Sequence, residues 1–240
     1  MKTVLHKAET RGFANHGWLK SYHTFSFAAY RNPERNHFGV LRVLNDDRVA
    51  AGMGFGTHPH DNMEIISIPL SGDLEHKDSM SNVTTIREGD IQVMSAGTGI
   101  SHSEYNKNND KEVQFLQIWI FPKERQVTPR YDQISLKEIA TINNFYQILS
   151  PNSEDQGVWI HQDAWFSLGD FKQETTTTYK THKEGNGIYV FILEGEATTN
   201  QIKLEKRDGL GIWDTTEITI TASPNSRILV MEVPMQLPRI

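Results

Sequence analysis

The chain has 240 residues, with 24 basic and 30 acidic side chains for a net charge of −6, and with 22% charged, 37% hydrophobic and 10% aromatic residues. This balance excludes disordered, collagen-like and coiled-coil classes, and its acidic sign argues against general electrostatic binding to nucleic acid or to an anionic membrane. Cysteine is absent, which removes disulfides, thiolate nucleophiles and Cys-ligated zinc or iron–sulfur centres, so any metal must sit on His and carboxylate. The N-terminal Met1 to His6 lacks an apolar run, and no stretch approaches the roughly 20 apolar residues that span a bilayer. The expectation is a cytoplasmic protein.

In chain order, short runs rich in Val, Ile, Phe, Tyr and Thr are separated by Gly, Asn and Asp about every ten residues, the pattern of an antiparallel all-β sandwich or barrel. Tyr22 to Phe27 alternates, setting His23, Phe25 and Phe27 on one face, with His23 expected to pack on the core. Strands are expected at Gly39–Leu44, Met63–Leu70, Val83–Ile86, Ile91–Met94, Val113–Phe121, Tyr189–Leu193, Ile218–Thr221 and Arg227–Val233. The best helix candidate is Ser135–Ile142, where Ser135 and Glu138 could form a capping box. Thr128 to Asn144 breaks the rhythm, so a boundary is expected there, with domains at 1–130 and 131–240. The two halves read as degenerate copies: Ile65–Gly72 resembles Tyr189–Gly195, and a second turn glycine follows, at Gly89 and Gly209.

Ten histidines are scattered along the chain, and one pair, His58 and His60, stands at i, i+2. Residues two apart on a strand share a face, so both imidazoles aim at one point. His102 and Glu104 form a second such pair. Two strands could thus assemble three imidazoles and one carboxylate, a set suited to iron, nickel, copper, zinc or cobalt that leaves open positions on an octahedral ion. A bare His-x-His is equally compatible with a surface strand pair. The glycines before each pair, Gly54, Gly56, Gly97 and Gly99, favour delivery into a barrel mouth. Continuing the parity reaches Glu64, read as a partner that holds an imidazole without touching metal. His76, His161 and His182 have no such neighbours by this count and are expected to be structural or exposed.

These residues resemble the two motifs of the cupin superfamily, and in wording the pirin family within it. Gly52 to Gly72 carries His58-x-His60 and Glu64; Gly89 to Asn106 carries Gly97, His102 and Asn106, with Ser95 where proline is common and a longer turn of pirin type. Arg11-Gly12, His16-Gly17-Trp18-Leu19, His23 to Phe27 and Arg42 to Asp47 agree, and Gln117-Ile118-Trp119, Thr128 to Tyr131 and His161-Gln162-Asp163 extend a weaker likeness, nearest to bacterial pirin-like quercetin 2,3-dioxygenases. The resemblance implies a bicupin of two facing jelly-roll barrels with few short helices. Metal is implied only in the first barrel: counting back from Gly195 as from Gly72 gives Thr181 and Lys183, and counting on from Gly209 as from Gly89 gives Ala222 and Pro224.

The family's ligands carry over onto His58, His60, His102 and Glu104, while the general cupin scheme would use Glu64. The resemblance further implies one divalent metal, Fe(II) foremost, with Ni, Cu, Zn, Mn or Co as alternatives. It implies a flavonol-cleaving dioxygenase in which Glu104 is ligand and then general base, and Phe25, Phe27, Met53 and Phe55 line the substrate mouth. The alternatives are a non-enzymatic, iron-dependent redox-sensing regulator, as animal pirins are, and an oxidase of another enolisable substrate. A monomer, without nucleic-acid or membrane partners, is expected.

Overall fold

The computed structural model describes residues 1–238. The first half runs β1 (Lys2–His6), β2 (Gly12–Asn15), β3 (Leu19–His23), β4 (Leu41–Val49), β5 (Gly54–His60), β6 (Glu64–Ser71), β7 (Leu74–Asp78), β8 (Val83–Ile86), β9 (Asp90–Ser95), β10 (Ile100–Asn106), β11 (Val113–Ile120) and β12 (Arg130–Ser135). The second continues β13 (Phe145–Ser150), β14 (Val158–Trp159), β15 (Trp165–Phe171), β16 (Thr175–Lys180), β17 (Asn186–Glu194), β18 (Glu196–Thr199), β19 (Ile202–Glu205), β20 (Gly209–Trp213), β21 (Glu217–Ala222) and β22 (Ser226–Pro234). Each expected strand falls on one of these.

The strands form two copies of one arrangement. A seven-stranded sheet, β12-β9-β6-β11-β4-β3-β2, faces a four-stranded sheet, β5-β10-β7-β8, and the second half repeats this as β1-β20-β17-β22-β15-β13-β14 over β16-β21-β18-β19. The repeat seen in sequence is therefore real: β6 corresponds to β17, and β9 to β20. The seven-stranded sheets pack face to face through a core to which Leu44, Ile66, Ile68, Val93 and Ile118 contribute from the first half and Ile148, Phe166, Phe191, Leu229 and Met231 from the second.

Strands cross the expected boundary at 130/131 in both directions. β1 leaves the first half to pair with β20, Lys2 opposite Trp213 and His6 opposite Gly209. β12 pairs with β9, Arg130 opposite Ser95 and Ser135 opposite Asp90. Each closes an outer edge of the sheet that it joins, which removes a row of unpaired backbone groups. The helix expected at Ser135–Ile142 is only a 3-10 turn, Leu136–Glu138, and Ser135 makes no side-chain cap. Leu136 is drawn into the central core and its N–H donates to the Gly89 carbonyl at 2.7 Å, so the chain is bent away before a second helical turn can form.

The barrel interiors differ in chemistry. The second is filled by Tyr179, Ile218, Ile220, Ala222, Val190, Ile212 and their neighbours. The first buries His76, His102, Glu104, Ser67 and Gln117. Among the described residues no helix is long and apolar enough to cross a membrane.

Candidate metal centre

β10 is the spine of the site because it pairs with β5 on one side and β7 on the other. Across β5, Ile100 stands opposite His60 and His102 opposite His58; the register then shifts by a bulge so that Glu104 stands opposite Phe55. The bulge turns Phe55 to the same side as His58, a re-aiming such irregularities commonly produce. Across β7, His102 faces Asp78 and Glu104 faces His76. The turn feeding β10 requires Gly97, which has φ +48° and whose missing Cβ would collide with the Val127 carbonyl.

His58, His60 and His102 bring one ligand atom each within 4.8 Å of one another, and so do His76, His102 and Glu104. Ring centroids lie 4.5 Å apart for His58 and His102, 5.0 Å for His60 and His102, and 4.9 Å for His58 and His60. Burial, followed by the neighbouring imidazoles, pushes His102 down to about 2, and burial with His58 pushes His60 down to about 4, so these rings are neutral and carry ligand lone pairs. Glu104 is buried, which raises its pKa. Ser67 Oγ donates to its Oε1 at 3.0 Å and Gln117 Nε2 to its Oε2 at 2.6 Å.

The donor set fits a divalent transition metal. His102 Nε2 is buried and has no hydrogen-bond partner among the described residues, an uncompensated polar atom that ligation would satisfy. His58 Nδ1 lies 2.8 Å from the Gly56 carbonyl, so it donates there and leaves Nε2 bare, as ligating histidines usually do. Three imidazoles and one carboxylate would leave a divalent ion with a residual positive charge.

Glu64 is not part of this cluster. The parity running from His60 is broken between β5 and β6, which lie in different sheets joined through Asn62 at φ +45°. On β6, Ser67 turns inward to Glu104, whereas Glu64 shares the opposite face with Ile66 and Ile68. There it accepts from Ser95 Oγ at 2.6 Å and from the His161 N–H, near Arg130, and burial pushes it up to about 7. It makes no hydrogen bond to His58, His60 or His102 among the described residues, so the expected role in holding an imidazole is not what its contacts provide.

A cavity of about 220 Å³ opens beside the cluster, walled by His58, Glu104, Gln117, Phe27, Phe55 and Trp119 and by the polar residues Ser21, His23, Asn45 and Asp47. Phe27 and Phe55 are on its wall. Phe25 and Met53 are not. β3 ends at His23, so the alternation stops, and Phe25 enters the central core against His6 and Tyr189; Met53 sits on the turn before β5, 43% exposed. His23 is buried, but on the cavity wall, with Nδ1 3.0 Å from Asn45 Oδ1. The Trp119 indole N–H is buried without a partner among the described residues. His76, expected to be structural or exposed, is fully buried beside His102 and bonded to Asp78; its signal was His76-x-Asp78, a same-face pair on a strand. His182 lies away from the cluster, 2.8 Å from the buried Glu232 carboxylate and stacked on Trp165.

Two packed jelly-roll barrels, one with a histidine-rich interior and one with an apolar interior, define a bicupin. The pirin model matches residues 5–120, and the model of the quercetinase C-terminal cupin domain matches residues 147–233. The chain is 42% identical over 230 residues to a protein of Escherichia coli (strain K12) named quercetin 2,3-dioxygenase, covering 96% of this chain and 98% of that one. It is 38% identical over 222 residues to a pirin-like protein of Caulobacter vibrioides, covering 92% and 95%. The crystal structure of the bacterial pirin YhhW of Escherichia coli in complex with nickel(II) superimposes with a TM-score of 0.92 at 40% identity, covering 97% of this chain and 99% of that one. The chain belongs to the pirin family.

Proposed function

We propose that this chain is a metal-dependent dioxygenase that opens a flavonol such as quercetin with O₂ and releases carbon monoxide. The observation that carries the reading is an aromatic-walled cavity that reaches both His58, of the group with His60 and His102, and Glu104, of the second group that shares His102. These four residues would hold one divalent ion, Fe(II) in our reading. When bound, the ion supplies Lewis acidity that eases deprotonation of the flavonol 3-hydroxyl and provides a site where the electron-rich enolate and O₂ can meet.

Glu104 takes the hydroxyl proton. Its carboxylate lines the cavity that would admit the substrate. Ser67 and Gln117 hold its two oxygens in place, so it need not reorganise when the substrate arrives. Phe27, Phe55 and Trp119 offer flat apolar walls to a planar polyphenol and exclude water, and the unpartnered Trp119 N–H can donate to a substrate oxygen. Ser21, His23, Asn45 and Asp47 give the far wall the hydrogen-bonding capacity a polyhydroxylated ring requires.

The test is to load the protein anaerobically with Fe(II), add quercetin in air, and follow flavonol absorbance and carbon monoxide. Metal-dependent carbon monoxide that is lost in a His58→Ala/His60→Ala variant is the expected result. Full metal occupancy without turnover would overturn the flavonol assignment and favour another enolisable substrate or the redox-sensing role.

A further inference from the structure

The hydrogen bonds around His102 determine which of its ring nitrogens is bare. For His58 the Gly56 carbonyl does this. His102 has no backbone carbonyl in that role. Its Nδ1 instead meets the Nδ1 of His76 at 3.5 Å, and its Nε2 has no partner among the described residues. One of the two Nδ1 atoms must carry the hydrogen between them.

His76 decides which. Its Nε2 lies 3.1 Å from Asp78 Oδ2, and the side chains of both residues are fully buried. A carboxylate only accepts, so His76 Nε2 carries the hydrogen, and a ring with its one hydrogen there has a bare Nδ1. His102 Nδ1 must therefore donate to it, which leaves His102 Nε2 as a lone pair. Asp78 is itself fixed: Oδ1 accepts from the Met80 N–H at 2.9 Å and the Asn82 N–H at 3.1 Å, and Oδ2 accepts from Asn82 Nδ2 at 2.8 Å. The β7–β10 register, with His102 opposite Asp78 and Glu104 opposite His76, sets the chain of contacts.

We infer that Asp78 and His76 are positioning residues that hold His102 in the Nδ1–H form and so present its Nε2 lone pair to the metal. The same bonds exclude His76 as a ligand, because Nε2 is committed to Asp78 and Nδ1 to His102. Of the two groups of potential ligands that share His102, His76 thus drops out, which leaves His58, His60, His102 and Glu104. The metal-binding consequence rests on the metal-centre reading above; the protonation pattern does not.

Long-range ¹⁵N spectra of the metal-free protein read the imidazole tautomers directly, and calorimetry with Ni(II) alone reads the consequence. The wild type is expected to show His102 protonated on Nδ1 and bare on Nε2. Asp78→Asn turns an amide N–H₂ toward His76 Nε2, which moves the His76 hydrogen to Nδ1 and that of His102 to Nε2. Ni(II) affinity should then fall by about 10–100-fold, the usual effect of losing a partner behind a ligand. His76→Gln keeps a donor toward Asp78 and an acceptor toward His102, so it should retain both the tautomer and near-wild-type affinity, whereas His76→Leu should lose both. The Gln and Leu pair decides the matter even if Asp78→Asn does not fold. A wild-type His102 protonated on Nε2, or equal Ni(II) binding by the Gln and Leu variants, would overturn the inference. A wild type that binds no Ni(II) but shows the expected tautomers would instead sink the metal-centre reading.

Discussion

Glu64→Gln should stabilise the metal-free protein at alkaline pH. Glu64 is 1% exposed, and burial pushes it from the ordinary 4.5 up to about 7 despite Ser95 and Arg130. Above that value the folded protein holds a buried carboxylate that the unfolded chain solvates freely; the gap corresponds to about 3 kcal/mol of lost stability. As pH falls from about 7 toward 4.5 the folded state binds the proton first and regains this stability, and below 4.5 both states are protonated and the penalty is gone. Glutamine removes the charge but places an amide N–H₂ where one oxygen accepted, a loss of about 1 kcal/mol. The net expectation at pH 8 is a gain of about 2 kcal/mol, or about 4–8 °C in Tm for a chain of this size. Near pH 4.5 the gain should vanish or reverse. Denaturant unfolding of chelator-treated wild type and variant at pH 8 and 4.5 measures both. A variant no more stable than wild type at pH 8 would refute the reasoning.

Three further outcomes follow from the geometry. Glu104→Gln should reduce metal occupancy far more than Glu64→Gln, measured by elemental analysis after identical loading and desalting; the reverse ranking would put Glu64 at the metal. Arg130, whose guanidinium lies 3.8 Å over the Trp159 ring and whose Nη1 donates to the Trp159 carbonyl at 2.6 Å, should cost about 2–4 kcal/mol when changed to Met, read by chemical denaturation. Deleting residues 1–7 removes β1 and the Lys7–Asp208 ion pair, so the denaturation midpoint should fall. The uncovered β20 edge should then promote self-association, visible in sedimentation velocity.

The cluster was legible where its signal was local. His58 with His60, and His102 with Glu104, are same-face pairs whose spacing survives within single strands. The logic failed where it ran through a joint: extending parity from His60 to Glu64 crosses Asn62 and a change of sheet, and extending it from His23 to Phe25 passes the end of β3. The same-face pair His76-x-Asp78 was there to read, but the meeting of His76 with His102 depends on the β7–β10 register, which no local pattern reveals. The repeat of the two barrels was visible in turn glycines and apolar runs. The reciprocal exchange of β1 and β12 was not, since an edge strand looks the same whichever sheet it joins. The helical reading of Ser135 to Ile142 rested on a plausible cap, and the burial of Leu136 overrode it.

The central claim is that one divalent metal binds within the first barrel on His58, His60, His102 and Glu104. Calorimetric titration of the metal-free chain with Ni(II) tests it most directly. One equivalent per chain is expected for the wild type and for Glu64→Gln, with specific binding lost in His58→Ala/His60→Ala. Undiminished binding by that double variant would contradict the claim.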